Sequence, residues 1–175
     1  MNDVSNAADA PVEWGEIEEP RIPQRLYALK NRDSFMVADS RGDIAGAADG
    51  LFHNDTRILS RWELQLAGHT PMLLSGSVSQ DNVYFTSHCL NREIPAPGGP
   101  DAPQGIVHVQ RKRFLWDERL YERISLTNFG SHTVEVPIGL DFAADFRDMF
   151  EVRGARRQRR GQTTGPELGD ACVRF

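Results

Sequence analysis

Between Thr133 and Phe146 the chain reads TVEVPIGLDFAADF, and every even position from Val134 to Phe146 is apolar. The odd positions carry Thr133, Glu135, Asp141 and Asp145 among small residues. Side chains alternate between faces along a strand. A period of two over this stretch therefore predicts a central strand with its even face in a core and its odd face free for solvent, a ligand or another domain. Pro137 falls on the outward set and lacks a backbone N–H, which marks a bulge or an edge position. Shorter β-patterned segments precede it: RLYAL at 25–29, SFMVA at 34–38, ILSRWELQL at 58–66, VYFTSHCL at 83–90, IVHVQRKRFLW at 106–116 and LYERISLTN at 120–128.

Turn chemistry orders these segments. AGHT at 67–70 predicts a hairpin into PMLL, and Asp117 with Glu118 turns the 106–116 strand back into 120–128. NFGS at 128–131 is expected to turn that strand into the long one, so successive hairpins give an antiparallel meander. PAPGGPDAP at 95–103 reads as a long loop, and no stretch carries the capped amphipathic pattern of a full helix. The expected fold class is all-β, an antiparallel β-sandwich of two packed sheets with few or no helices.

Composition changes this picture mainly at the ends. Residues 1–24 are rich in Asp, Glu, Ala and Pro without apolar periodicity, which predicts a flexible acidic tail ahead of one sandwich domain over 25–175. No apolar run approaches the roughly 18 residues a membrane span needs, and the first residues lack the basic and apolar regions of a secretory signal. The cytoplasm is the expected compartment. The net charge of −5 speaks against a nucleic-acid partner despite the basic run RGARRQRRG at 153–161. Cys89 and Cys172 stand outside any CxxC spacing and are expected to be two free, buried thiols.

Candidate chemistry is sparse. Asp141 and Asp145 share a face, but four residues of strand separate them by about 13 Å, too far for the two carboxyl groups of a glycosidase. Histidines occur at 53, 69, 88, 108 and 132, none at the i, i+2 or i, i+4 spacing that presents two ligands to one metal. Nucleophile elbows and phosphate loops are also missing, so no catalytic residue, metal or cofactor is assigned to this chain. Two polar clusters remain. Phe52, His53, Asp55, Thr56 and Arg57 are expected to lie in an irregular segment just before a strand, where Asp and Arg either brace a loop or meet a polyol. Asp145, Arg147, Asp148, Glu151 and Arg153 surround Met149 and Phe150, a mixture of signs around an aromatic that suits an interface. Trp14, Trp62 and Trp116 could stack on sugars, but Trp62 and Trp116 fall on strand faces that read as buried.

GLFHNDTRILSRWELQL at 50–66 and DFAADFRDMFEVRGARRQRRG at 141–161 resemble two hallmark segments of the N-terminal domain of bacterial glycogen-debranching-like proteins, the amylo-α-1,6-glucosidase family. LKNRDSFMVADSRGDI at 29–44 resembles that family's opening strand pair and loop, and the likeness runs from about Leu26 to the end of the chain. It implies a β-supersandwich followed in the parent chain by an (α/α)6 barrel with the catalytic carboxylates, so this chain is expected to be a non-catalytic, truncated or excised domain. The resemblance places Phe52, Asp55, Thr56, Arg57, Asp145, Asp148, Phe150, Glu151, Arg153 and Gly154 at motif positions, as substrate-binding or interdomain candidates. Its implied partners are the catalytic barrel and an α-glucan, with Phe52 expected to reach the shared surface. The arginines of the basic run are expected to form an ion-pair network with DFRDMFE that fixes this junction. The alternatives are an autonomous carbohydrate-binding module and a protein-interaction module.

Overall fold

The computed structural model describes residues 25–96, 101–156, 161–162 and 164–175. The acidic leader and Arg157, Arg159 and Arg160 of the basic run lie outside the described residues. Within them the chain forms β1 (Tyr27–Asn31), β2 (Ser34–Ala38), β3 (Gly50–His53), β4 (Thr56–Leu59), β5 (Arg61–Leu66), β6 (Met72–Val78), β7 (Tyr84–Leu90), β8 (Val107–Trp116), β9 (Arg119–Asn128) and β10 (Ile138–Ala143). A single helical turn, α1 (Met149–Val152), and the short pair β11 (Glu167–Leu168) and β12 (Val173–Arg174) follow. All pairing is antiparallel, in sheets ordered β1-β2-β3-β4, β6-β7-β8-β9, β10-β5 and β11-β12.

The expected all-β class is what the chain adopts. Leu29, Met36 and Ala38 of the first four-stranded sheet meet Phe85 and Leu115 of the second, with Ile44 and Leu51, in one buried cluster. Leu64, Leu66, Cys89 and Val109 form another. β8 shows why its sequence makes a strand: residues 107, 109, 111, 113 and 115 are buried while the positions between them are half-buried or exposed. Two-residue hairpin turns match strand twist when both residues take positive φ, and Asn, Asp and Glu do so here: Asn54 and Asp55 at 45° and 59°, Asp117 and Glu118 at 48° and 63°. The loop after β7 is pinned by the buried amide of Asn91, which accepts from the N–H of Gly105 and Val107 and donates to the carbonyls of Arg92 and Pro103.

Several expectations require correction. ILSRWELQL is two strands interrupted at Ser60, whose N–H and hydroxyl both bond to the carbonyl of Ala143. AGHT does make a tight turn, with Leu66 paired to His69, but the strand after it joins β7 in the other sheet. NFGS likewise does not deliver the chain into a neighbour of β9: β10 pairs with β5, placing Leu140 opposite Leu64 and Phe142 opposite Trp62. The long alternation is a strand only from 138 to 143, and its even residues Ile138, Leu140 and Phe142 remain 48%, 37% and 38% exposed. A period of two reports which side a residue faces and not whether anything covers that side. Trp116, read as buried, is 65% exposed, and Cys172 is exposed while Cys89 is buried. No helix among the described residues is long and apolar enough to cross a membrane.

Candidate functional site

Arg57 organises the first polar cluster from inside the fold, with its side chain 2% exposed. Its Nε and Nη2 donate to Oδ1 and Oδ2 of Asp145 at 3.1 and 2.5 Å. Nη1 donates to the carbonyls of Gly46, Ala47 and Asp49 at 3.3, 2.9 and 3.1 Å. A guanidinium can be buried when its donors are engaged in this way, and the planar fork fixes the carboxylate in direction as well as in distance. Gly50 leaves the space: a Cβ there would lie 2.5 Å from Cδ of Arg57.

The backbone completes the junction. The Arg57 N–H donates to the carbonyl of Arg147 at 2.7 Å, the Met149 N–H donates to the carbonyl of Asp55 at 2.8 Å, and Thr56 bridges Asp148. The chain then winds into α1, whose sequence D-x-x-E supplies a capping box. Asp148 accepts from the N–H of Phe150 and Glu151 at 2.8 and 3.0 Å, and Glu151 accepts from the N–H of Asp148 at 3.1 Å. Gly154, at φ 102°, takes the left-handed conformation that lets the chain leave the turn. The two clusters of the sequence are thus one junction.

Burial raises the proton affinity of the Asp145 carboxyl, but hydrogen bonds from Arg57 and the Arg147 N–H and the charges of both arginines outweigh it, so its pKa lies below the ordinary value. A glycosidase general acid needs the opposite shift. The direction of this shift opposes proton donation by Asp145.

Phe52 does not reach the surface. It is 2% exposed and stacks on Phe35, its cross-strand partner in β2, with ring centroids 4.5 Å apart. The groups left outside are Asp55, whose carboxylate bonds to no described residue, and Phe150, which is 66% exposed. Arg153 and Arg156 are exposed and form no ion pair with the described residues. Arg147, which lies outside the basic run, is 3.4 Å from Asp145.

A second polar assembly escaped the reading of the sequence. Arg111 and Arg113 of β8 are 1% and 0% exposed and point into the core. Arg111 meets Asp43 at 2.5 Å and Glu122 of β9 at 2.7 Å, and Arg113 Nη2 donates to Glu122 at 3.1 Å. Glu122 also accepts from the indole N–H of Trp62 at 2.7 Å, while Arg41 pairs with Asp39 and Asp43 at 2.9 and 3.2 Å. Three arginines thus face three carboxylates. The guanidinium of Arg113 is pushed down to about 10 by burial and by the charge of Arg111, against the pull of Glu122. Burial raises Glu122, but Arg113 and Arg111 overcome it and hold it low; for Asp39 burial prevails and the pKa is raised. The network joins β5, β8, β9 and the connection from β2 to β3, and each of its charged groups pairs with another, while the buried Nη2 of Arg111 bonds to none of the described residues. Its signal was in the sequence, as Arg111 and Arg113 share parity with Val107, Val109 and Leu115.

Residues 29–175 match the N-terminal domain of some glycogen debranching enzymes. The chain belongs to that family. No curated protein matches it. In this debranching-enzyme domain the Arg57 junction, α1 and the buried network all fall within the matched stretch. The junction also connects to other turns. The Asn54 N–H donates to the carbonyl of Asp33 at 3.1 Å, and Arg32 beside it approaches Asp117 at 3.9 Å. The turns of the β1–β2, β3–β4 and β8–β9 hairpins and α1 therefore form one continuous rim. Away from it, His88 and His108 on adjacent strands bring Nδ1 and Nε2 within 3.0 Å, a cross-strand relation that spacing along one strand does not reveal.

Proposed function

We propose that this domain is a non-catalytic β-sandwich of a cytoplasmic glycogen-debranching glycoside hydrolase, and that its rim supports the catalytic domain of the parent chain and forms one wall of an α-glucan cleft. The observation that carries the reading is the Arg57–Asp145 junction: a buried guanidinium braces the segment that packs α1 against the β3–β4 turn, leaving Phe150 66% exposed and the Asp55 carboxylate without a partner among the described residues. An exposed aromatic and an exposed carboxylate on a braced scaffold are suited to contact with another domain or a sugar. The half-exposed apolar side of β10 supplies a further surface of the kind that packs in an interface.

Co-expression with the downstream region of the parent chain as a separate polypeptide tests the proposal. The unaltered domain should co-purify with it, and Phe150→Ala, which removes no internal bond, should weaken the association. Unchanged co-purification in the Phe150→Ala and Asp55→Ala double variant would remove the rim from this role.

A further inference from the structure

We propose that Trp116 is a stacking platform for a neutral α-glucan chain, with Asn31, Arg32 and Asp117 bonding to the sugar hydroxyls; the choice of ligand rests on the reading above. Trp116 ends β8 on its outward parity and is 65% exposed. The other aromatics of that sheet face are engaged with one another. Phe114 stacks on Tyr121 at 4.9 Å, Tyr84 meets Phe114 edge-on at 5.8 Å, and the Lys112 ammonium lies 4.3 Å from the centre of the Tyr84 ring. Trp116 has no such ring partner among the described residues, so its indole face is open.

Its surroundings select the ligand. Trp116 lines a shallow depression with Asn31, Arg32 and Asp117, where two hairpin turns meet. Arg32 and Asp117 are 3.9 Å apart with side chains 74% and 68% exposed, a loose ion pair that adds little stability and leaves its polar atoms within reach of a ligand. Their charges cancel. A phosphate or nucleic-acid ligand would require a positive excess, and a protein partner a broader apolar patch than one indole. A pyranose matches all of it: an apolar C–H face for the indole, and a rim of hydroxyls that both donate and accept, to meet carboxylate, guanidinium and amide. Arg32 and Asp117 both hold positive φ, 51° and 48°, positions where glycine would fit with less strain and would provide no side chain.

The test uses the 175-residue chain in native gels containing glycogen, with maltoheptaose quenching of tryptophan fluorescence as a second readout. Retardation by glycogen is expected. Trp116→Ala should weaken it by about tenfold or more and abolish the quench, with an unchanged melting temperature because the side chain lies outside the core. Arg32→Ala with Asp117→Ala should weaken it several-fold, and Leu74→Ala, an exposed apolar control on β6, should not. Absence of retardation in the unaltered chain, or equal retardation of Trp116→Ala, overturns the proposal. So does loss of co-purification with the downstream region in Trp116→Ala while glycogen binding persists, which would make the indole a protein contact. Failure of the supporting role would appear separately, as indifference of co-purification to the Phe150 and Asp55 variants.

Discussion

Arg57 and Asp145, 88 residues apart in sequence, meet through two parallel hydrogen bonds of 3.1 and 2.5 Å. Because Arg57 is 2% exposed, removing either partner leaves charge or carbonyl groups without their bonds in the interior. Arg57→Ala and Asp145→Ala should each lower unfolding free energy by about 3 kcal/mol in urea melts, the range for breaking a buried pair. The double variant should lose markedly less than the sum. Additive losses would mean that the two residues act independently and that the carbonyls of Gly46, Ala47 and Asp49 hold Arg57 on their own.

Phe142 tests how far the alternation at 133–146 reaches. A fully buried phenylalanine truncated to alanine loses about 3 to 5 kcal/mol. Phe142 is 38% exposed, tilted against Trp62 at 5.9 Å and edge-on to Phe175 at 6.1 Å, so Phe142→Ala should lose about 1 to 2 kcal/mol. A loss above about 3 kcal/mol in denaturant melts would contradict the half-covered position of β10.

This contrast indicates what the residues disclosed. SFMVA coincides with β2, and the Asp117–Glu118 turn joins β8 to β9, because both rest on local rules of alternation and turn conformation. The partner of β10 could not be read in this way. That Ile138–Ala143 lies beside β5 and not β9 depends on a crossing of sheets that no local pattern encodes. The site behaved similarly. HNDTR and DFRDMFE were legible as polar clusters, but their union depends on a guanidinium reaching across the fold. The resemblance implies a Phe52 that reaches the surface shared with a catalytic domain, whereas stacking on Phe35 draws it in. The buried network has its trace in the parity of Arg111 and Arg113 with Val107, Val109 and Leu115, but its carboxylate partners lie on other strands and connections that local spacing does not identify.

Asp55 separates a structural role from a functional one. At φ 59° an aspartate is strained relative to glycine, and its contact with α1 is made by the backbone carbonyl, which glycine retains. Asp55→Gly should therefore be neutral or stabilising by up to about 1 kcal/mol in thermal melts. Its association with the downstream region should fall at the same time. If the variant is instead destabilised by more than about 1 kcal/mol, the carboxylate has a structural role and leaves the list of contact groups.

Acid should destabilise the domain through identifiable groups. Glu122 and Asp145 have depressed pKa values in the folded chain, and so does Asp81, held down chiefly by the Ser79 hydroxyl. Each contributes stability that is present above its unfolded value and is lost as pH falls through the folded one, because the unfolded chain binds the proton first. Asp39 has the opposite sign: burial raises its pKa, so the folded chain binds that proton first and recovers some stability in acid. Three depressed groups against one raised predict a melting temperature that declines below about pH 4.5, the ordinary value for Glu122. Glu122→Gln should make that decline shallower. At neutral pH it should also lower stability by about 3 kcal/mol or more, since Arg113 would lose the carboxylate it pairs with while Arg111 would keep only Asp43. An acid limb as steep in Glu122→Gln as in the unaltered chain would show that the buried network does not control acid stability, and would shift that role to Asp145 at the junction.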